Sequence, residues 1–416
     1  MSALIAVSLK NARQFTAASH SAADYIELRT DYFSIARIIQ LAKRSRLPII
    51  LTIKRAVTLP AVLPPSIKFI DFDYRTSPTK LKKISRGPKI IQSFHDYTAT
   101  PTYAKLDALV KQAHLRGYLP KIATTIRIVN DLAVIARLQK KYGKRIIAIG
   151  MGELGIMTRL YNKSLLTFAA QTQRSITAPG QLTVAQLRSG MQLYGLVGEN
   201  IAHSLSPRLH NNLFKQHHLP HRYQLWPTQD LDKFMFAFNF FALPGASVTM
   251  PYKKTIMSYC TKLDRHAKTI GAVNTLVRRG NKLIGYNTDW LGVQRALGHS
   301  LRQARVLILG SGGAAAAIAY AAKQAQAKTV VSLHRADLPT QRTNFDVVIN
   351  ATPVHNVLLV PASALKHRIV MDCIYGQLTQ LQRIARKHHA RRIINGLPML
   401  RTQAIEQFKL WTHKSV

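Results

Sequence analysis

Two segments in the second half of the chain concentrate polar side chains that suit carbonyl chemistry. Lys253 follows the run Ala246-Ser-Val-Thr-Met-Pro-Tyr, and Asp289 closes the run Gly285-Tyr-Asn-Thr. Reducing a carbonyl with hydride creates an alkoxide that needs a proton, and a lysine held by a carboxylate can supply it. Such a donor contributes about 10²–10⁴ in rate, or roughly 3–5 kcal/mol of barrier. We therefore predict that Lys253 and Asp289 form a catalytic pair.

A glycine-rich loop later in the chain predicts a dinucleotide site. The apolar run from Val306 leads into Gly310-x-Gly312-x-x-Ala315, and an alanine-rich helical pattern follows. A glycine permits the tight turn, backbone N–H groups can approach a pyrophosphate, and the helix N-terminus supplies positive potential. We therefore expect a Rossmann domain. The predicted cofactor contacts in this loop are Gly310, Gly312, Gly313 and Ala314.

The strand after this helix favours NADP over NAD as the cofactor. An NAD site carries Asp or Glu about 20 residues beyond the glycine loop to bind the ribose hydroxyls. Here the strand ends in Ser332-Leu333-His334-Arg335, without an acid. Because Arg335 suits a 2′-phosphate, NADP is the predicted cofactor.

The first half of the chain alternates short apolar runs with amphipathic helical patterns. Non-alternating apolar strands joined by helices are typical of a parallel sheet. Such units repeat through roughly the first 190 residues, which predicts a compact (β/α)8 barrel, with an open doubly wound sheet as the alternative. The predicted strands are Leu4–Ser8, Tyr25–Leu28, Ile49–Ile53, Phe69–Phe72, Ile90–Ser93, Lys121–Ala123 and Ile146–Gly150.

Two residues on these strands have side chains that suit catalysis. Lys121 stands between apolar residues, and burial makes a lysine amine more nucleophilic because it disfavours the charged form. His95 comes just after an apolar strand, where barrel enzymes place catalytic groups. Taken alone, each residue also fits a structural role, as one lysine among many and as a hydrogen-bonding loop histidine.

The chain is strongly basic, with 59 Lys and Arg against 18 Asp and Glu and a formal charge of +41. Such a field attracts anions and can hold nucleic acid without sequence preference. The basic residues are dispersed and form no nucleic-acid motif, so we expect small-molecule substrates and no specific nucleic-acid partner. Because acids are rare, each acid inside a motif carries extra weight.

Other features bear on location and on bound groups. The run from Met1 to Asn11 resembles neither a secretory signal nor a transit peptide. The longest near-apolar stretch contains the glycine loop, so we expect no membrane span. Cys260 and Cys373 fit neither a disulfide framework nor a metal site. We therefore expect a cytoplasmic protein without a bound metal, and the sequence does not indicate its oligomeric state.

Changes of pattern along the chain predict three domains. Residues 1–190 form the barrel. Residues 191–290 form a second α/β domain, which an amphipathic helix at 397–416 completes. Residues 291–396 form the Rossmann domain.

Further motifs accompany the glycine loop in the second half. They are Tyr194-Gly-Leu-Val-Gly-Glu-Asn-Ile-Ala-His-Ser-Leu-Ser-Pro-Arg-Leu-His-Asn, Ser247-Val-Thr-Met-Pro-Tyr-Lys253, Gly271-Ala-Val-Asn-Thr275, Gly285-Tyr-Asn-Thr-Asp289, Asn350-Ala-Thr-Pro353 and Gly396-Leu-x-Met-Leu-x-x-Gln403-Ala. In this order they resemble the shikimate dehydrogenases. The resemblance implies a two-lobed enzyme that reduces 3-dehydroshikimate to shikimate with NADPH, with Lys253 and Asp289 as its catalytic pair.

The same resemblance implies binding residues. Asn350 and Thr352 are implied as cofactor contacts. Ser247 departs from the Asn that many members carry, and His334-Arg335 departs from their Asn-Arg-Thr. A quinate dehydrogenase is the closest competing interpretation. The residues implied to bind the substrate are Ser204, Ser206, Ser247, Thr249, Asn274 and Gln403.

A second set of motifs lies in the first half. It comprises Glu27-Leu-Arg29, Asp71-Phe-Asp73, His95-Asp-Tyr97, Lys121-Ile-Ala123, Met151-Gly-x-x-Gly-x-x-x-Arg159 and Ala178-Pro-Gly-Gln181. Their order and spacing resemble the type I 3-dehydroquinate dehydratases. The resemblance implies that Lys121 forms an imine with the substrate ketone, while His95 moves the protons and Glu27 orients His95. The residues implied to bind the substrate are Arg29, Arg159, Thr177 and Gln181.

One loop of the first half departs from that family. The dehydratases carry an Arg followed by Glu-Gly-Gly, whereas this chain has Lys54-Arg55-Ala-Val-Thr-Leu-Pro. The two resemblances together imply a fused enzyme for two consecutive steps of the shikimate pathway. The alternative is a shikimate or quinate dehydrogenase that carries a weakly active or non-catalytic barrel.

Overall fold

The computed structural model describes residues 3–55, 57–76, 87–333 and 344–416. Arg335, the predicted contact of a 2′-phosphate, lies outside the described residues. The chain divides into two compact units. The first unit comprises the chain up to residue 193 with 219–221 and 228–243, and the second comprises 194–218, 222–227 and 244–416.

The first unit is built around a parallel sheet that curls into a nearly closed barrel. Its strands are β1 (Leu4–Ser8), β2 (Tyr25–Arg29), β3 (Ile49–Thr52), β4 (Ile67–Asp73), β5 (Lys89–Asp96), β6 (Leu119–Thr125), β7 (Ile147–Met151) and β8 (Leu166–Ala170). Their order in space is β7-β6-β5-β4-β3-β2-β1-β8. Since β1 pairs with both β2 and β8, the last strand borders the first. The predicted (β/α)8 barrel is confirmed.

Alternate residues of each strand point into the barrel, and their character changes along the strand. The layer towards the amino ends of the strands is apolar and includes Ala6, Ile50 and Phe69. Towards the carboxyl ends of the strands, the same interior rows continue with buried polar side chains. The groups that could take part in catalysis therefore lie at that end of the barrel. These polar residues are Ser8, Glu27, Thr52, Asp71, Ser93 and Lys121.

Helices cover the outward faces of the strands. Val7, Ile26 and Leu51 belong to the outer apolar layer. Ser34 precedes the helix Ile35–Lys43 and Thr102 precedes the helix Tyr103–Leu115, and each side chain accepts a backbone N–H as a helix cap. The helices of this part of the chain are α1 (Gln14–Ser19), α2 (Ile35–Lys43), α3 (Tyr103–Leu115), α4 (Val129–Tyr142), α5 (Ile156–Leu160) and α6 (Val184–Arg188).

A side chain bridges the seam between β7 and β8. Arg159 on α5 donates from Nε to the carbonyl of Gly150 on β7 at 3.1 Å, and from Nη1 to Phe168 on β8 at 3.2 Å. Burial lowers the pKa of Arg159 to about 10, so the guanidinium is still charged at pH 7. Ahead of the two strands, Leu165 donates its backbone N–H to the carbonyl of Ile146 at 2.9 Å. The guanidinium therefore satisfies two carbonyls at an interrupted part of the backbone ladder.

The second unit contains two sheets. The first is mixed and has the order β10-β9-β11-β13-β14-β12, and the second is parallel with the order β16-β15-β17-β18-β19, which confirms the predicted Rossmann domain. The strands of the mixed sheet are β9 (Leu193–Gly198), β10 (Arg222–Pro227), β11 (Gly245–Val248), β12 (Lys262–Leu263), β13 (Thr275–Arg279) and β14 (Lys282–Tyr286). Those of the parallel sheet are β15 (Arg305–Leu309), β16 (Thr329–Leu333), β17 (Val347–Asn350), β18 (Ile369–Asp372) and β19 (Arg392–Ile394).

The last helix of the chain packs on the mixed sheet. Trp411 on this helix donates its indole N–H to the carbonyl of Leu276 on β13 at 3.0 Å. Among the described residues, no helix combines the length and apolar character that crossing a membrane requires. The remaining helices are α7 (Ser206–Gln216), α8 (Leu231–Phe240), α9 (Arg265–Ile270), α10 (Asp289–Leu297), α11 (Gly313–Gln324), α12 (Gln380–Lys387) and α13 (Leu397–Thr412). Of these, α8 belongs to the first compact unit.

We predict that Arg159→Leu loosens the β7–β8 seam. Two buried carbonyls lose a charged donor, which costs about 3 kcal/mol and lowers amide protection about a hundredfold. Hydrogen–deuterium exchange of the peptides that contain β7 and β8 measures the change. Arg127→Leu is the matched control because Arg127 is exposed. Equal protection in the two variants would show that the guanidinium does not hold the seam.

Candidate active sites

A buried ion pair lies inside the barrel. Nζ of Lys121 on β6 is 2.7 Å from Oδ2 of Asp71 on β4, and the two side chains are 5% and 1% exposed. The ammonium also lies 4.0 Å from the centre of the Phe168 ring. A buried ammonium is tolerated only when a carboxylate and hydrogen bonds compensate its lost hydration. Oδ1 of Asp71 has no hydrogen-bond partner among the described residues, so this carboxylate has unused accepting capacity.

His95 lies near the carboxyl end of β5, facing the same interior. Burial, with the positive charges of Lys121 and Lys54, lowers the pKa of His95 to about 2. Its Nδ1 is buried and has no hydrogen-bond partner among the described residues. The ring stacks on Tyr97 with 5.9 Å between centroids. His95 is therefore neutral at pH 7 and has a lone pair with which to accept a proton.

Glu27 does not serve as the partner of His95 in this geometry. Its carboxylate accepts hydrogen bonds from the hydroxyls of Ser8 and Thr52, the second at 2.7 Å. β2, which carries Glu27, is three strands away from β5 in the sheet. The predicted role of Glu27 in orienting His95 is therefore not supported, because its oxygens are used by its own neighbouring strands.

The other residues predicted for the barrel site have local partners. Arg29 forms a bidentate pair with Asp31, at 3.1 and 2.7 Å. Oε1 of Gln181 accepts from the backbone N–H of Thr177 at 2.7 Å and from its hydroxyl at 3.0 Å. Two of the three guanidinium nitrogens of Arg159 are engaged in the seam.

Lys54 is a residue of the barrel site that the sequence analysis left without a role. It follows β3, and burial, with the charge of Lys121, lowers its pKa. The charges of Asp71 and Glu27 oppose that shift. The departure of this loop from the family pattern was the available signal. In this loop the dehydratases carry an Arg followed by Glu-Gly-Gly, whereas the chain begins the loop with Lys54.

A cavity of about 200 Å³ in the second unit gathers the residues predicted for the dehydrogenase. Ala314, a predicted cofactor contact, also lines it. The polar lining comes from β11, α7, α10 and α13 and from the loops between elements, so the fold brings together side chains that are far apart along the chain. The predicted catalytic and substrate-binding residues in the lining are Ser204, Ser206, Ser247, Thr249, Lys253, Asn274, Asp289 and Gln403.

Lys253 and Asp289 form an ion pair on the wall of this cavity. Nζ of Lys253 lies 2.6 Å from Oδ2 of Asp289, and the side chains are 15% and 6% exposed. The amide of Asn274 donates to the other carboxylate oxygen at 2.8 Å. The backbone N–H of Asp289 donates to Oδ1 of Asn287 at 3.0 Å. Both carboxylate oxygens are thus held, and the ammonium keeps a fixed place beside the cavity.

The glycine loop lies against the catalytic lysine. Gly313 begins α11, and a Cβ built on it would lie 2.8 Å from Cβ of Lys253 and 3.3 Å from Cβ of Ala272. Gly310 has a φ of +118°, a conformation that L side chains rarely adopt. A Cβ on Gly312 would meet nothing within 4 Å. The loop therefore leaves space where a pyrophosphate would approach and lets the lysine pass close to the helix.

The polar loop after β17 borders the glycine loop. Oδ1 of Asn350 accepts from the backbone N–H and the hydroxyl of Thr352, at 3.0 and 2.7 Å. A Cβ on Gly310 would lie 3.1 Å from Cγ2 of Thr352. β15 lies between β16 and β17, so these loops border the crevice at which Rossmann sheets bind dinucleotides. In the part of the chain that the structure describes, no group of three or more His, Cys, Asp or Glu side chains could hold a metal ion.

Sequence reasoning missed several residues of this cavity. Gln407 and Tyr375 line it, and His210 and Tyr223 are buried around Gln407 and Ser247. Gln407 is four residues after Gln403 on α13, so helical spacing was a usable signal for it. His210 lies in the first motif of the second half, and Tyr223 had no motif to mark it.

Comparisons with protein families match both halves of the chain. The model of the type I 3-dehydroquinase family matches residues 4–197. The model of the shikimate dehydrogenase substrate binding domain matches residues 196–276.

Known proteins and solved structures agree with these matches. Shikimate dehydrogenase (NADP(+)) of Pyrococcus abyssi is 37% identical over 247 residues, which cover 53% of this chain and 92% of that protein. The crystal structure of shikimate dehydrogenase from Aquifex aeolicus has a TM-score of 0.50 and 30% identity, and covers 54% of this chain and 94% of its own. Shikimate dehydrogenase 1 from Peptoclostridium difficile gives a TM-score of 0.51 and 29% identity, over 54% of this chain and 93% of its own.

One relative matches nearly the whole chain. It is the chloroplastic bifunctional 3-dehydroquinate dehydratase/shikimate dehydrogenase of Arabidopsis thaliana, which is 30% identical over 469 residues. The match covers 94% of this chain and 78% of that protein. The dehydroquinase family model matches the barrel, the shikimate dehydrogenase model matches part of the second unit, and this relative combines both enzymes. The chain therefore belongs to the family of bifunctional 3-dehydroquinate dehydratase/shikimate dehydrogenases.

Proposed function

We propose that the chain catalyses two consecutive reactions, each in one of its compact units. The barrel dehydrates 3-dehydroquinate to 3-dehydroshikimate, and the second unit reduces 3-dehydroshikimate to shikimate with NADPH. The observation that carries the proposal is the two Lys–Asp contacts, one buried and one partly buried, each at a site whose surrounding residues fit one of these reactions. These two reactions define a lyase and an oxidoreductase in one polypeptide.

In the barrel, Lys121 is the nucleophile. Asp71 takes a proton from the ammonium, and the neutral amine attacks the ketone of the substrate. Loss of water gives an iminium, which acidifies the adjacent C–H bond. His95 removes that proton and then returns it to the departing hydroxyl, which leaves as water. Hydrolysis of the iminium releases the product and restores the Lys121 amine.

Positive charge near the barrel mouth binds the substrate carboxylate. Lys54 has no ion-pair partner among the described residues, and its charge acts on Lys121 and His95. The seam uses Nε and Nη1 of Arg159, which leaves Nη2 for the carboxylate. Arg29, Thr177 and Gln181 face the remaining hydroxyls of the substrate in this assignment.

In the second unit, the chain's own residues hold the substrate and supply the proton. When bound, NADPH supplies the hydride. Lys253 polarises the carbonyl and then donates the proton to the alkoxide oxygen, and Asp289 keeps the ammonium in place. Ser204, Ser206 and Thr249 hold the carboxylate and hydroxyls together with Asn274 and Gln403.

The residues around the glycine loop fit a dinucleotide. The open space beside Gly312 and the positive φ of Gly310 suit close approach of the pyrophosphate. Ala314, Asn350 and Thr352 line the same side. Arg335 is proposed for the 2′-phosphate. We also propose a cytoplasmic location, which fits the two free thiols Cys260 and Cys373.

One observation favours a second candidate function, a dehydrogenase with a weakly active barrel. Nδ1 of His95 has no hydrogen-bond partner in the described part of the chain, and the loop that carries a glutamate in other dehydratases lacks one here. An unoriented base reacts slowly. Borohydride reduction with 3-dehydroquinate, followed by mass spectrometry, separates the two functions: the dehydratase requires an adduct on Lys121.

We predict that Lys121→Ala and Lys253→Ala both abolish NADPH oxidation when 3-dehydroquinate is the substrate. Each removes a group worth at least about 10²–10⁴ in rate. Absorbance of NADPH follows the reaction. Added 3-dehydroshikimate restores oxidation in Lys121→Ala alone, since the second unit is intact there. Restoration in both variants would refute the assignment of Lys253.

We predict different defects for alanine at two adjacent glycines. In Gly313→Ala the new methyl overlaps Lys253, so kcat of the reduction falls about 10²-fold, as expected when a catalytic group is displaced by about 1 Å. Gly312→Ala meets no protein atom and instead raises KM for NADPH, with kcat changed little at saturation. Steady-state kinetics with varied NADPH measures both. Equal kcat in the two variants would contradict the contact between loop and lysine.

We predict that His95 does not titrate between about pH 5 and pH 8 in the free protein. Its pKa is lowered, so the neutral form is already complete above that value and no protonation step remains in this range. Histidine NMR measures the titration, with the signal assigned by its loss in His95→Gln. Lys54→Met removes one of the charges that lower the pKa and shifts it upward, whereas Lys68→Met, on the exposed face of β4, leaves it unchanged. A midpoint near 6.5 in the wild type would contradict the prediction.

A further inference from the structure

A chain of short, buried hydrogen bonds lies behind one wall of the cavity in the second unit. Oη of Tyr223 is 2.6 Å from Oγ of Ser247, and that oxygen is 2.7 Å from Oε1 of Gln407. Nε2 of Gln407 is 3.1 Å from the backbone carbonyl of Asn274. All four residues are buried, and Ser247 and Gln407 line the cavity. The positions of the protons in this series of hydrogen bonds determine whether the wall presents a donor or an acceptor to a substrate.

The backbone carbonyl of Asn274 sets the orientation of the Gln407 amide. A carbonyl oxygen only accepts hydrogen bonds, so the atom of Gln407 that contacts it must be the NH₂ group. Its second hydrogen reaches Oγ1 of Thr275 at 3.0 Å. Oε1 of Gln407 must therefore face Ser247 and His210. The amide has one possible orientation, fixed by the main chain.

His210 supports the same orientation. Its Nε2 is 3.2 Å from Oε1 of Gln407, and its ring stacks on Tyr223 with 4.3 Å between centroids. Burial lowers the pKa of His210 to about 3, so the imidazole has a single proton at pH 7. That proton must lie on Nε2, since Oε1 cannot donate. Nδ1 accordingly has no hydrogen-bond partner among the described residues.

The hydroxyl of Ser247 has only one proton, and it donates this proton in a hydrogen bond to Gln407. Two oxygens at 2.7 Å repel each other unless a hydrogen lies between them, and Oε1 of Gln407 has none to give. The contact with Tyr223 at 2.6 Å must then be made by the phenol proton. One lone pair of Ser247 accepts from Tyr223, and one lone pair is left for the cavity.

We propose that Gln407 fixes Ser247 as a pure hydrogen-bond acceptor, so that this part of the cavity selects a substrate hydroxyl that donates to it. The inference rests on the proposed dehydrogenase function and refines it. A carboxylate, a carbonyl, an ether or a fluorine at the same place meets a lone pair and is rejected. Ser247 is thus a specificity-determining residue, and Gln407 is a positioning residue whose hydrogen-bonding capacity is already used by the protein.

The test compares shikimate with its two analogues in which one unreactive hydroxyl is replaced by fluorine, which cannot donate. kcat/KM is measured in the direction of shikimate oxidation with NADP⁺, on the full-length protein. In the wild type, the analogue that lacks the hydroxyl at Ser247 is expected to be about tenfold worse than shikimate, the effect of one lost hydrogen bond. Failure of the wild type to oxidise shikimate at all would refute the proposed dehydrogenase function, on which the inference rests, whereas oxidation of shikimate and both analogues at equal kcat/KM would refute the inference alone.

Ser247→Ala tests the acceptor directly. Activity on shikimate falls about tenfold through KM, with kcat nearly retained, and the penalty for the one analogue disappears because its partner is gone. Ser204→Ala is the matched control on the same cavity, and it keeps the penalty for the analogue that lacks the hydroxyl at Ser247. If the effects of Ser247→Ala and of both fluorine replacements are additive, no substrate hydroxyl donates to Ser247, and the proposal is overturned.

Two further variants separate polarity from packing. In Gln407→Met the proton of Ser247 is released, so the residue can donate to fluorine and the discrimination against the analogue falls towards unity. In Tyr223→Phe the hydroxyl of Ser247 still donates its proton to Gln407, so the discrimination against the analogue is kept. Loss of discrimination in Tyr223→Phe, or its retention in an active Gln407→Met variant, would overturn the role of Gln407.

Discussion

An ammonium group that is largely withdrawn from water must be paired, and each unit of this chain contains one such pair. Lys121 meets Asp71 at 2.7 Å inside the barrel, and Lys253 meets Asp289 at 2.6 Å beside the cavity of the second unit. Removing one partner of a buried pair leaves an uncompensated charge, which is far more costly than the pair itself is favourable. The strands and helices that carry these residues therefore have little freedom to move apart.

The two pairs differ in what surrounds them, and this difference separates the proposed reactions. The unused oxygen of Asp71 can accept a proton, and burial, with the charges of Lys121 and Lys54, keeps His95 neutral, so the barrel interior favours a nucleophilic amine and a free base. In the second unit, Asn274 occupies the remaining oxygen of Asp289, so that carboxylate holds a lysine that stays a donor. The same residue types thus serve opposite directions of proton transfer.

Patterns in the sequence predicted the architecture well where a strand was bounded by turn residues, and less well where its signal was short. β1 was predicted at its observed bounds, because Leu4–Ser8 is a compact and largely apolar run. β8 was missed, since Leu166–Ala170 ends in two alanines and contains no valine or isoleucine, so its β-propensity is weak. The eightfold closure of the barrel was nevertheless implied by the number of preceding units.

The residues of the candidate sites could be predicted where they belong to a recognisable sequence motif. Lys253, Asp289 and the polar lining share one cavity, as their motifs implied. The roles of Glu27 and Gln407 were not accessible, because they depend on which oxygen faces which neighbour across strands or across a helix. Arg335 lies outside the described residues, so the choice of NADP rests on its position in the sequence and on the relatives.

The pairing of β8 with β1 also constrains when the barrel can be finished. Leu4 on β1 lies opposite Leu166 on β8, so one edge of β1 has no partner until β8 has been synthesised and has paired with it. Until β8 pairs with β1, that edge of β1 lacks its partner, and contacts this distant in sequence form slowly. The ribosome delivers β8 shortly before the second unit begins to emerge. The free edge of β1 is consequently open to pairing with another chain until β8 has joined it.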